Sequence, residues 1–210
     1  MSRLGPPIVP GWDFWKLYDD GEWEPETKEV LSRFLYPGSI FVDIGAWIGP
    51  VTMWALELGA DVIAIEPDPV AFEMLKHNAP EAKCLPAAIG ATTGLGTLQS
   101  FAPDSWGDSQ SRLVEGDDAD GKDVITLAPS VILCMVKPTL IKVDVEGGET
   151  RILPELVGAS NCPLYISWHQ PWFPEPVGLE DRQSWFADYT CEPIRGDGWT
   201  GFSELLAVPK

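Results

Sequence analysis

Apolar residues along this chain fall into two alternating kinds of run. From Pro25 to Leu35, Val30, Leu31, Phe34 and Leu35 recur at helical spacing. Pro25 suits a first turn and Tyr36-Pro37-Gly38 supplies the stop, so one amphipathic helix is predicted. Ser39 to Gly45 is a short run rich in Ile, Val and Phe, which reads as a strand buried on both faces. A helix should follow from Pro50 to about Leu58, with Gly59 suited to its C-terminal cap. Val62 to Glu66 repeats the strand signal, and Asp68-Pro69 opens a helix that should run to about Asn78. Lys83 to Ile89 is predicted as a third strand. Residues 90–121 are turn-rich, with short extended pieces expected near Thr97–Phe101 and Ser111–Val114.

Further on, Leu140 to Val145 reads as a fourth strand, leading through Glu146-Gly147-Gly148-Glu149 into a helix that ends near Gly158. Leu164 to Trp168 reads as a strand, Leu179 to Tyr189 as a helix and Phe202 to Val208 as a last strand. Alternation of this kind is the mark of an α/β fold, a mostly parallel sheet with helices on both faces. Residues 1–24 mix Pro, Gly, Trp and acidic groups without a period, so they are expected to form an irregular lead-in to a single domain spanning 25–210.

Composition narrows the function classes. The chain has 210 residues, 45% of them hydrophobic, enough to close one large core. No run reaches the roughly eighteen apolar residues of a membrane span and no apolar stretch follows a basic start, so export and membrane insertion are not expected. A formal net charge of -18 repels phosphate backbones and disfavours a nucleic-acid partner. Cys84, Cys134, Cys162 and Cys191 are spread out, without C-x-x-C spacing, and are expected to be reduced thiols in a cytoplasmic protein. The acidic stretch Glu115 to Asp120 matches no calcium loop and is expected to be a solvated turn.

Asp43-Ile44-Gly45-Ala46-Trp47-Ile48-Gly49 lies between the first predicted strand and a helix. Such a turn offers free N–H groups and the positive end of a helix dipole to an anionic group. Dinucleotide folds need G-x-G-x-x-G there; here the middle glycine is missing and a carboxylate precedes the turn. S-adenosylmethionine fits that pattern better. Its carboxylate can use the turn, while its ammonium and sulfonium favour acidic surroundings. Glu66, with Pro67 after it, ends the second strand about 20 residues further on, where a carboxylate accepts from ribose hydroxyls.

Asp43-Ile44-Gly45-Ala46, Ile65-Glu66-Pro67, Ala88-Ile89-Gly90 and Ile141 through Glu149 resemble the successive motifs of the FkbM family of methyltransferases. The resemblance runs from about Trp23 to Trp168, and Trp23-Glu24-Pro25 resembles the family's entry segment. It implies a class I methyltransferase sheet, Rossmann-like, with seven strands of which the last is antiparallel. It also implies S-adenosylmethionine as cofactor, and methylation of a hydroxyl oxygen, often on a sugar. Asp43, Gly45, Ala46, Trp47, Gly49, Glu66, Pro67, Ala88 and Asp144 are the expected cofactor residues. Trp47 stands where the family commonly has a small polar residue, and His169 where an acidic residue more often lies near the histidine.

Methyl transfer to oxygen requires an aligned acceptor and removal of its proton. Of two histidines, His77 falls at a helix end, away from the expected crevice, and His169 at a strand end. His169, Asp144 and Glu146 are the candidates for the acid–base role. Asp144 is also a candidate ligand for a divalent metal, but the other ligands are not evident from spacing and no metal site is indicated. Trp168, Trp172 and Phe173 are candidates for stacking on a small-molecule or glycan acceptor, although many of ten tryptophans must be core. Two other functions remain open: a nicotinamide-dependent oxidoreductase on the same fold, and a catalytically inactive scaffold or assembly module.

Overall fold

The computed structural model describes residues 3–5, 13–100, 107, 109–114 and 121–210. The expected acidic turn at Glu115–Asp120 lies outside these residues, as does Phe101. In chain order the elements are α1 (Phe14–Asp19), α2 (Pro25–Phe34), β1 (Ile40–Ile44), α3 (Pro50–Glu57), β2 (Asp61–Ile65) and α4 (Pro69–Asn78). Then come β3 (Lys83–Leu85), β4 (Ala88–Ile89), β5 (Gly94–Gln99), β6 (Arg112–Val114), β7 (Lys122–Leu127), α5 (Pro129–Met135) and β8 (Leu140–Val143). The last elements are α6 (Glu149–Ala159), β9 (Leu164–His169), a 3-10 turn at Gln170–Trp172, α7 (Leu179–Trp185), β10 (Tyr189–Arg195) and β11 (Phe202–Pro209).

The main sheet has seven strands in the order β10-β11-β9-β8-β1-β2-β3. β1 pairs in parallel with β2 and β8, β8 with β9, and β11 runs antiparallel to both its neighbours. Alternation along each strand feeds two cores. Val42, Ile44, Ile141 and Val143 pack with Ile152, Leu153 and Leu156 of α6 on one face. Phe41, Val62, Ala64 and Leu140 pack with Leu31 of α2, Trp54 of α3 and Leu75 of α4 on the other. Burying both faces is what makes the central strands read as continuous apolar runs. No helix among the described residues is long and apolar enough to cross a membrane.

Three expectations are corrected. The lead-in is not irregular throughout: Asp13 caps α1 by accepting from the Lys16 N–H, and α1 buries Phe14 and Tyr18 one turn apart. The third strand divides at Pro86, whose missing N–H cannot serve a ladder. Its first part, β3, joins the main sheet, and its second, β4, joins a four-stranded sheet ordered β4-β7-β5-β6. The helix expected at Leu179–Tyr189 stops at Trp185, so that Tyr189 begins strand β10, while β7 and α5 lie in residues for which no element was predicted.

Candidate functional site

The carboxyl ends of β1, β2, β8 and β9 open into one cavity of about 270 Å³. Its wall begins at the turn after β1. Gly45 has φ +81°, and a Cβ there would sit 1.7 Å from the Asp144 carbonyl oxygen, so only glycine lets the β1 and β8 ends meet. Gly45→Ala is expected to cost about 3 kcal/mol or more through backbone displacement, to be read from urea unfolding; wild-type stability would disprove the close approach.

Glu66 ties this turn to the start of α4. Its Oε2 accepts from the Trp47 N–H at 2.8 Å and its Oε1 from the Asp68 N–H at 2.7 Å. Burial pushes the Glu66 carboxyl up to about 8, against the pull of those two donors, with Asp68 and Asp43 adding repulsion. A carboxyl raised in the folded state binds a proton that the unfolded chain releases above its ordinary 4.5. That contribution to stability is therefore complete at low pH and lost as pH rises through about 8. Melting temperatures between pH 5 and 9 should fall less steeply in Glu66→Gln than in the wild type.

Trp47 has a left-handed backbone, donates from its indole to the Gly107 carbonyl at 2.9 Å and meets Phe14 edge-on at 4.9 Å. Ala46, Pro67 and Ala88 line the same cavity. Asp43 and Gly49 do not: Asp43 is fully buried behind the wall, accepting from the Thr52 hydroxyl at 2.7 Å, and Gly49 packs on Leu75 at the start of α3. In this structure the two residues thus support the wall from behind. Burial raises the Asp43 pKa, with Lys142 the main opposing influence.

The far end of the cavity is a charged cluster. Lys142, buried in mid-sheet, donates to Asp144 Oδ2 at 2.6 Å. Burial would lower its pKa, but Asp144, Asp43 and Glu24 outweigh that and hold the ammonium charged. Burial likewise works to raise Asp144, and Lys142 with His169 overcomes it, so its pKa falls. His169 Nδ1 lies 2.8 Å from Oε1 of the fully buried Glu149, while Nε2 faces Asp144 Oδ1 at 3.6 Å and Glu146 Oε2 at 3.3 Å. Burial would lower His169, yet the Glu149 bond and the neighbouring carboxylates carry it up to about 9. Glu146 is pushed up to about 8 by burial and by Asp144.

Sequence reasoning thus named Asp144, Glu146 and His169, and the structure brings them together. It missed Glu149, which orients His169, and Glu24, Ser167 and Arg195, which also line the cavity. Glu149 lay within a recognised motif, whereas Arg195 lies on β10, where no strand was expected. Trp172 stacks on His169 at 5.5 Å, Phe202 meets both edge-on, and Trp168 is core. Among the described residues, the non-glycine residues with positive φ are Glu24, Trp47 and Glu146, and all three line this cavity. Left-handed backbone is uncommon outside glycine and concentrates at functional sites.

The strand order and the glycine-turn cavity define a class I methyltransferase fold. Solved structures agree on that fold. The FkbM methyltransferase of Methylobacillus flagellatus KT superposes with a TM-score of 0.53 at 17% identity, over 86% of this chain and 50% of that one. A TehB-like S-adenosylmethionine-dependent methyltransferase of Corynebacterium glutamicum gives 0.53 at 14% identity, over 94% of each chain. Magnesium protoporphyrin IX methyltransferase of Synechocystis, with bound S-adenosylmethionine, gives 0.52 at 13%, over 98% and 87%. The model of the methyltransferase FkbM domain matches residues 43–189, and the chain belongs to the FkbM methyltransferase family. A tRNA (guanine(37)-N(1))-methyltransferase of Drosophila pseudoobscura pseudoobscura is 36% identical over 76 residues, which is 35% of this chain and 16% of that protein.

Proposed function

We propose that the protein transfers the methyl group of S-adenosylmethionine to a hydroxyl oxygen of a small-molecule or glycan acceptor. The observation that carries this reading is the continuity of one cavity from the Gly45–Trp47 turn and Glu66 to the cluster of Asp144, Glu146 and His169. The turn and Glu66 suit the methionine and ribose ends of the cofactor, and the apolar wall of Pro67, Ala88 and Leu98 suits its adenine. The acidic surround favours its cationic centre.

The acceptor hydroxyl would meet the cluster, in line with the sulfonium and its methyl, and its proton would pass to a group there. Trp172 and the exposed Phe202 offer flat faces beside His169 for a sugar ring. The likeness to the tRNA enzyme covers too little of either chain to favour an RNA acceptor, and a net charge of -18 opposes one. We read the family and the intact cluster as favouring an enzyme over a scaffold.

Thermal shift with S-adenosylmethionine, S-adenosylhomocysteine and NAD, followed by mass spectrometry of candidate hydroxyl acceptors, tests the reading. Stabilisation by the first two and a product heavier by one methylene unit are expected. Stabilisation by NAD alone would point to an oxidoreductase, and silence toward all three to a scaffold.

A further inference from the structure

The arrangement of His169 is unlike that of an ordinary ion pair. Nε2 faces two carboxylate oxygens, but at 3.6 and 3.3 Å, outside the 2.7–3.2 Å of a normal N–H···O bond. Glu146 Oε2 is buried and has no hydrogen-bond partner at all. One nitrogen and two oxygens, from Asp144, Glu146 and His169, all lie within 4.8 Å of one another. Ligands bonded to a cation at about 2.1 Å stand roughly 3 Å apart when they occupy adjacent positions, so these separations need only small adjustments.

The imidazole is also set for the task. Glu149, fully buried at the start of α6, holds Nδ1 at 2.8 Å and leaves Nε2 aimed at the cluster; its own Oε2 is buried and unpartnered. A carboxylate on the far nitrogen is the usual support of a metal-binding histidine. Glu146 reaches the cluster only through a left-handed backbone, φ 53°. Around the cavity, Glu24, Glu66, Asp144 and Glu146 face Lys142, Arg195 and His169, with Asp43 and Glu149 buried behind. Lys142 is committed to Asp144 Oδ2 and Arg195 to Glu204, so a mobile cation is the guest this surround would attract.

We infer that Asp144, Glu146 and His169 form a binding site for one divalent cation at the acceptor end of the cavity. Two carboxylates and one imidazole combine the donors that suit magnesium and manganese with one that suits iron and zinc; manganese satisfies both sets and is the cation of choice. Bound there, it would hold the acceptor hydroxyl oxygen and lower that hydroxyl's pKa. This role rests on the methyl-transfer reading above, whereas the cation site itself is tested without it.

Mn²⁺ titrated into the metal-stripped full chain should bind with one equivalent, followed by loss of the free-ion electron paramagnetic resonance signal. Pulsed spectra should show coupling to one imidazole nitrogen. That coupling should persist in His77→Ala and vanish in His169→Gln, and Glu146→Gln should weaken binding tenfold or more. Absence of stoichiometric binding to the wild type, or binding without nitrogen coupling, overturns the site. S-adenosylmethionine calorimetry on the same sample keeps the two readings apart. Failure to bind Mn²⁺ in a sample that binds the cofactor overturns the cation site alone; Mn²⁺ binding as described supports the site even where the cofactor fails to bind.

Discussion

Asp144→Asn should lower kcat by about 10²–10⁴-fold, the range of a lost acid–base or positioning group. It should also cost about 3 kcal/mol of stability in urea unfolding. The stability loss arises because Lys142, 3% exposed, loses the oxygen held at 2.6 Å. Removing one member of a buried pair costs roughly 3–5 kcal/mol. The low end applies because Asp43 and Glu24 still act on the ammonium. Steady-state kinetics of Asp144→Asn, Glu146→Gln and His169→Ala, with and without chelator, would apportion the chemistry. Full activity in His169→Ala would remove it as base.

The second large effect is expected at Glu66. Glu66→Ala should weaken S-adenosylmethionine binding by an order of magnitude or more in calorimetry above pH 8, where the carboxyl is ionised and charge-assisted bonds to the ribose would contribute roughly 1.5–3 kcal/mol each. The structure adds a second cause, because the same carboxylate receives the Trp47 and Asp68 N–H groups. Their loss would loosen the turn as well as the proposed ribose contact. Unchanged affinity would sink the assignment of this carboxylate.

What could be read in advance follows from burial. β1, β2, β8 and β9 lie in the middle of the sheet, so their sequences are apolar runs bounded by clear turns. β10 lies at the sheet edge, half exposed, and carries Pro193, a residue that edge strands tolerate but that argues against a strand on paper. β7 is half exposed, and α5 is seven residues of Pro, Ser and apolar side chains without a polar face, so neither shows a period. At the site, chemistry was legible and spatial arrangement was not. Asp144, Glu146 and His169 stood out by type, but their convergence depends on the parallel register of β8 with β9. The orienting role of Glu149 emerges only when the start of α6 packs beneath that pair.

The approach of Gly45 to the Asp144 carbonyl also bears on how the molecule is made. Ile44 and Val143 are register partners on β1 and β8, although the whole four-stranded sheet lies between them in the chain. Pairings of such large sequence separation close late and slowly. The glycine turn and the charged cluster can therefore become one cavity only after β8 has inserted between β1 and β9. A nascent chain halted before Leu140 would carry the glycine turn without its floor, and acquisition of cofactor affinity during refolding should coincide with burial of β8.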